Sequence, residues 1–135
     1  MIIIRKKYKF CAAHRYKNPS WNEEKNIKIF GDDYKVHGHN YLLEVSLKGP
    51  VDMNTGFVVD LNYVNDIVYK EIIKVIDHSN IQEDIKWFRD KRPSSENLAI
   101  YVWKKLINKI KDPVELYCIK IEETPTISSE YYGKE

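Results

Sequence analysis

Apolar and polar residues alternate in two long stretches near the start of the chain. Residues 2 to 13 are rich in β-branched and aromatic side chains and predict a first strand; Tyr8, Phe10 and Ala12 share one face, and His14 closes the run in the same phase. Residues 38 to 48 predict a second strand, with Tyr41, Leu43, Val45 and Leu47 at every second position before Gly49-Pro50. Helical spacing then takes over. Val64, Ile67, Val68, Ile72, Val75 and Ile76 predict a helix from about 62 to 77. Leu98, Ala99, Val102, Trp103, Leu106, Ile107 and Ile110 predict another, capped by Pro93-Ser94-Ser95 and stopped by Asp112-Pro113. Strand patterns return over 114 to 123 and 127 to 132.

The connections carry their own signals. Residues 15 to 36 form a long link in which Ser20-Trp21-Asn22-Glu23 reads as a capping box opening a short helix that ends at Phe30-Gly31. Met53-Asn54-Thr55-Gly56 is turn chemistry, and Phe57 to Leu61 is read as a short strand extension. The order ββααββ predicts an α+β fold, a four-stranded antiparallel sheet with two helices on one face. The opposite sheet face also carries apolar residues and needs a cover, most simply another subunit.

Histidines supply the candidate chemistry. His37 and His39 stand two apart at the head of the second strand, so both imidazoles project from one face. His14, in phase on the first strand, comes alongside them if the two strands pair antiparallel. Three neutral imidazoles with one open position form the ligand set of a catalytic zinc; the plainer alternative is hydrogen-bonded core histidines continuing the apolar stripe. His78 is left beside Asp77, free for proton transfer or else a helix-end histidine near the dipole. Glu123 shares strand phase with Tyr117, Ile119 and Ile121, whereas Glu122 shares it with Lys120. A carboxylate on an apolar face needs a partner.

Bulk properties narrow the class. A chain of 135 residues is long enough for one domain over 1–135 with its own core. The net charge of +2, with scattered lysines, argues against a nucleic-acid surface. Arg5-Lys6-Lys7 interrupts the apolar start at once, which argues against a membrane span or a signal peptide. Cys11 and Cys118 show no metal or redox spacing, in keeping with a cytoplasmic protein whose thiols stay reduced.

Seven motifs occur in order from residue 10 to residue 124: Phe10-Cys11-Ala12-Ala13-His14-Arg15, Phe30-Gly31, His37-Gly38-His39-Asn40-Tyr41, Gly56 to Leu61, Asp77-His78, Ser95-Glu96-Asn97-Leu98-Ala99 and Glu123-Thr124. The set resembles the 6-pyruvoyl-tetrahydropterin synthase and 6-carboxytetrahydropterin synthase family. The resemblance implies the tunnelling fold, in which the sheets of several subunits join into a barrel, commonly a hexamer with active sites shared across interfaces. It implies 7,8-dihydroneopterin triphosphate as substrate, Zn²⁺ on His14, His37 and His39, and Asp77 with His78 as a proton-relay pair. It also implies Glu123 as the carboxylate that anchors the pterin. Ser95 and Glu96 sit where the family approaches the pterin, or serve as helix-cap residues.

One position departs from the family. Counting forward from Phe30-Gly31, or back from His37, puts Asp33 where the catalytic cysteine belongs. A carboxylate, with a reference pKa of about 3.9 against about 8.5 for a thiol, is the weaker base. Cys11 points to the other strand face from His14 and does not substitute. The products implied are 6-pyruvoyl-tetrahydropterin or 6-carboxytetrahydropterin, towards biopterin or queuosine-type deazapurines. A related branch with glutamate in place of cysteine releases 6-hydroxymethyl-7,8-dihydropterin for folate synthesis, and Asp33 keeps that product open. A pterin-binding module without turnover is the reading of another class, and Asp33 in a merely solvated acidic turn would suit it.

Overall fold

The computed structural model describes residues 1–134; Glu135, the last residue of the domain expected over 1–135, lies outside the described residues. Strand β1 (Ile2–His14) pairs antiparallel with β2 (His37–Gly49) along its whole length, from Ile2 opposite Gly49 to His14 opposite His37. β4 (Glu115–Thr124) lies on the other side of β2, and β5 (Ile127–Tyr131) pairs with β4. A two-residue strand, β3 (Ser79–Asn80), adds a parallel edge beside Ala12 and Ala13, giving the order β3-β1-β2-β4-β5. The sheet thus has one strand more than the four expected. Two residues carry no detectable period, which is why β3 escapes pattern reading.

One sheet face holds the core. Phe10, Tyr41, Leu43, Val45, Leu47, Ile119 and Ile121 are buried there with Val64, Val68, Ile72 and Ile76 of the first long helix and Leu98, Val102 and Leu106 of the second. Fully burying each such side chain is worth about 1.5–3 kcal/mol, so this stripe decides which face turns inward. Phe10 and Tyr41 stand opposite each other in the register and stack at 4.8 Å with an interplanar angle of 11°. The opposite face carries apolar residues, as expected, among a majority of charged and polar ones. Strand alternation turns Arg5, Lys7 and Lys9 outward together, and Arg5 pairs with Glu44 at 3.3 Å. Its apolar residues, among them Ile3 and Leu42, are only half-buried.

The first helix departs from a single α-helix over 62–77. Helix α2 (Leu61–Val68) passes through a wider π turn at Tyr69–Ile73 before a last α turn, α3 (Lys74–Ile76). Val64, Val68, Ile72 and Ile76 are all fully buried at a strict spacing of four. At 3.6 residues per turn such a stripe drifts by about 120° over twelve residues, and the wider turn takes up part of that drift. Val75 falls outside the stripe and is exposed. Residues Phe57 to Leu61 form no strand; Asp60 instead caps α2 by accepting from the Asn62 N–H. Helix α4 (Ile81–Asp84) follows β3, and α5 (Ser95–Leu106) is capped by Ser94 through the Asn97 N–H.

The long connection is ordered by one buried amide. Helix α1 (Glu23–Phe30) is capped by Asn22, not by the Ser20 of the expected capping box. Asn26 within it is fully buried: its Oδ1 accepts from the Asn18 N–H at 2.8 Å, and its Nδ2 reaches the carbonyls of Asn18, Trp21 and Asn22. Tyr16 and Trp21 both stack on Phe30, closing the loop onto the helix. Gly31 ends α1 at φ 58, a left-handed conformation that favours glycine. Replacing Asn26 with Ala would strand several buried backbone groups and is expected to cost about 2–3 kcal/mol in urea unfolding. A loss below about 0.5 kcal/mol, the range of ordinary surface changes, would contradict this role.

Candidate active site

Register brings the three histidines together. His14 and His37 are direct cross-strand partners, and His39 stands opposite Ala12, whose small side chain leaves room beside His14. The ring centroids lie 4.5 Å apart for His14–His37, 5.0 Å for His14–His39 and 5.1 Å for His37–His39. One ring nitrogen from each falls within 4.8 Å of the others, so the group could hold a metal ion.

Backbone carbonyls set the tautomers. His14 Nδ1 lies 2.8 Å from the Pro93 carbonyl, and His37 Nδ1 lies 2.7 Å from the Lys35 carbonyl. A carbonyl only accepts, so both Nδ1 atoms carry a proton, and in neutral rings the Nε2 lone pairs are left for another partner. Those two Nε2 atoms are 3.0 Å apart. A shared proton or a cation between them would satisfy both, and N–H to carbonyl bonds of this kind are the usual outer support of metal-bound imidazoles. His14 is fully buried, and burial pulls its pKa down to about 4. The ring therefore stays neutral, the form a metal requires, through the physiological range.

Carboxylates border the triad on two sides. Glu123, in strand phase with the buried Ile119 and Ile121, turns its side chain inward and is the unpaired residue of a bulge between Glu122 and Thr124. A second bulge, near Ser46 and Leu47, moves Tyr117 out of the expected phase and puts Leu116 opposite Leu47. Glu123 Oε1 lies 3.7 Å from His14 Nε2, is buried, and has no hydrogen-bond partner. Asp33, in a 3-10 turn at Gly31–Tyr34, faces the group from the open side: its Oδ1 is 4.0 Å from His37 Nε2 and its side chain is 65% exposed. The Tyr16 N–H holds that turn by donating to the Asp33 carbonyl at 2.8 Å.

Two tyrosines were not singled out by sequence reasoning. Tyr41 Oη lies 3.2 Å from His14 Nδ1. Burial first, and then the Glu123 carboxylate, push the Tyr41 hydroxyl pKa up. Tyr16 is raised by burial and then by Glu123, Glu96 and Asp33, so its hydroxyl stands where three acidic residues converge. Strand phase flags Tyr41; Tyr16 lies in an irregular segment with no period to reveal it. Ser95 is buried and bonds Ser129 Oγ at 2.7 Å, tying α5 to β5 rather than capping the helix, with Glu96 at 3.4 Å.

Asp77 and His78 form their pair, at 3.0 Å, but away from the triad. Asp77 accepts from the Cys11 N–H and the His78 N–H donates to the Cys11 carbonyl, which docks the corner on the edge of β1. His78 holds φ 65 and is 82% exposed. The Cys11 hydrogen bond, then His78, hold the Asp77 carboxyl below its usual pKa. The cleft beside Asp77 is lined by Lys9, Cys11, Asn40, Leu42 and Glu122, which occupy the sheet face opposite the histidines. Among the described residues, no helix is long and apolar enough to cross a membrane.

The family profile described as 6-pyruvoyl tetrahydropterin synthase matches residues 3–134. The chain belongs to the 6-pyruvoyl tetrahydropterin synthase family. A 6-pyruvoyl tetrahydrobiopterin synthase of Drosophila melanogaster is 35% identical over 126 residues, covering 92% of this chain and 75% of that protein. Its counterpart from Homo sapiens is 32% identical over 133 residues, covering 97% and 91%. The structure of Caenorhabditis elegans 6-pyruvoyl tetrahydropterin synthase superposes with a TM-score of 0.92 at 33% identity, covering 98% of this chain and 96% of that one. Within this family fold the triad sits at one end of the β1–β2 pair. Replacing His37 with Ala is expected to reduce bound metal, measured by elemental mass spectrometry, from about one ion per chain to a small fraction; full retention would contradict a three-histidine site.

Proposed function

We propose that the chain is a zinc-dependent lyase converting 7,8-dihydroneopterin triphosphate to 6-pyruvoyl-tetrahydropterin. The observation that carries this reading is the convergence of three imidazoles, with His14 and His37 Nε2 3.0 Å apart, flanked by Asp33 and Glu123. Relatives 32–36% identical over most of the chain, named as 6-pyruvoyl tetrahydrobiopterin synthases (one of them putative), support the product class. A putative 6-carboxy-5,6,7,8-tetrahydropterin synthase of Archaeoglobus fulgidus is 36% identical over 75 residues, which keeps 6-carboxytetrahydropterin as the other product of this class.

Zn²⁺ held by His14, His37 and His39 would act as a Lewis acid on the side-chain hydroxyls of the substrate. Glu123 supplies the pterin anchor: its buried, unpartnered Oε1 suits the amino and ring N–H groups of a pterin edge. Ser95 and Glu96 would approach the pterin beside it, Glu96 being one of the acidic groups that raise the Tyr16 pKa. Asp33 stands in the open position of the missing cysteine and takes the proton from the substrate side chain. Asp77 and His78 emerge on the opposite sheet face, so they serve the triad of a neighbouring subunit when sheets join into a barrel, here taken as a hexamer. The carboxylate at Asp33 favours one second reading, release of 6-hydroxymethyl-7,8-dihydropterin.

Mass-spectrometric analysis of zinc-loaded protein with 7,8-dihydroneopterin triphosphate tests the reading. The pyruvoyl or carboxy product supports it, the hydroxymethyl product moves the chain to the folate-directed branch, and tight binding without product makes it a binding module. Asp33→Cys is expected to raise pyruvoyl output several-fold; an unchanged product profile would remove Asp33 from the reaction. Mixing His37→Ala with His78→Ala chains, each inactive alone, is expected to restore activity, because some interfaces then contain only native residues. Failure of mixed oligomers to recover would overturn the shared site.

A further inference from the structure

The site described above contains no lysine or arginine, yet the substrate proposed for it carries a triphosphate. Several negative charges brought towards Asp33, Glu96 and Glu123, which converge on Tyr16, need a cationic seat elsewhere. A cleft of about 340 Å³ beside the start of the long connection offers one, lined by Arg15, Lys17, Pro19, Gln82, Glu83 and Arg89. Three cations face it against a single carboxylate. Among the described residues, none of the three makes an ion pair.

Arg15 is already set for the task. Its Nε–H donates to the Tyr34 carbonyl at 2.8 Å, and its guanidinium lies 4.1 Å from the centroid of the Tyr34 ring. Stacking and one hydrogen bond fix the plane of the fork while leaving both terminal nitrogens free of protein partners, a geometry suited to phosphate oxygens. Arg15 also ties the cleft to the site. It follows His14 in the chain, and its anchor Tyr34 follows Asp33. Lys17 and Arg89 are exposed and add charge without fixed geometry.

The geometry points to this cleft as the seat of the substrate's triphosphate, with Arg15 as the oriented contact and Lys17 and Arg89 as screening-sensitive partners. The inference rests on the substrate class proposed above. It is tested first without turnover, by calorimetric titration of the zinc-loaded protein with inorganic tripolyphosphate. Binding is expected to weaken as salt rises and to fall on the order of a hundredfold in the double variant Lys17→Ala/Arg89→Ala, about tenfold per charged contact. Neither side chain makes a hydrogen bond or ion pair in the fold, so the variant is expected to keep native stability. Its KM for 7,8-dihydroneopterin triphosphate is expected to rise similarly with kcat little changed, while its affinity for unphosphorylated 7,8-dihydroneopterin stays the same. Undiminished tripolyphosphate binding, or equal loss for both pterins, would overturn the assignment. If the wild type turns over no pterin, the proposed reaction fails; loss of tripolyphosphate binding in the variant would still support an anion cleft there.

Discussion

The pairing of β1 with β2 is the constraint on which the rest depends. A strand has a side-chain period of two, so a slip of one residue would turn every inward group outward. Only the observed register sets His14 opposite His37, with Ala12 leaving room for His39. Charge pairing does not hold that register: Arg5, at 53% exposure, meets Glu44 at the surface, where such pairs contribute about 0–1 kcal/mol. The buried stripe from Phe10 through Leu47 contributes several times as much and has only one way to face the core. The geometry of the histidine group is thus a by-product of hydrophobic phase, and the Pro93 and Lys35 carbonyls complete it by fixing the protons on Nδ1.

Around this rigid pair, irregular backbone does the aiming. A 3-10 turn after Gly31 presents Asp33, and a left-handed His78 lets Asp77 dock on the β1 edge. These are places where a ladder or helix is interrupted, and in each the interruption places a side chain that regular geometry would send elsewhere. The opposite placement of the histidine triad and the Asp77–His78 pair follows from the same logic. One belongs to the inner face of the sheet and the other to its edge and outer face, so a subunit uses the two with different neighbours in the assembly proposed here.

The regular parts were legible in the sequence because period carries them. The strand phases of Phe10, Ala12 and His14, and of His37, His39 and Tyr41, place the triad before any coordinates, and the stripe of α5 from Leu98 to Leu106 reads directly. What was not legible depends on local competition. Ser20 and Asn22 both offer a cap, and the side chain of Asn22 wins because Asn26 organises the loop behind it. Phe57 to Leu61 has strand-like composition but is spent on the approach to the Asp60 cap. The wider helical turn at Tyr69–Ile73, the bulge at Tyr117 and the two residues of β3 have no periodic signature.

The central claim is that the β1–β2 register builds a metal centre from three imidazoles whose Nε2 atoms His14 and His37 already present to each other. X-ray absorption at the zinc edge of the zinc-loaded protein measures that centre directly. The account predicts about three imidazole nitrogens at about 2.0–2.1 Å, with any remaining ligand a light atom. A sulfur ligand at about 2.3 Å, which would bring in Cys11 or Cys118, or the absence of imidazole scattering, would contradict it.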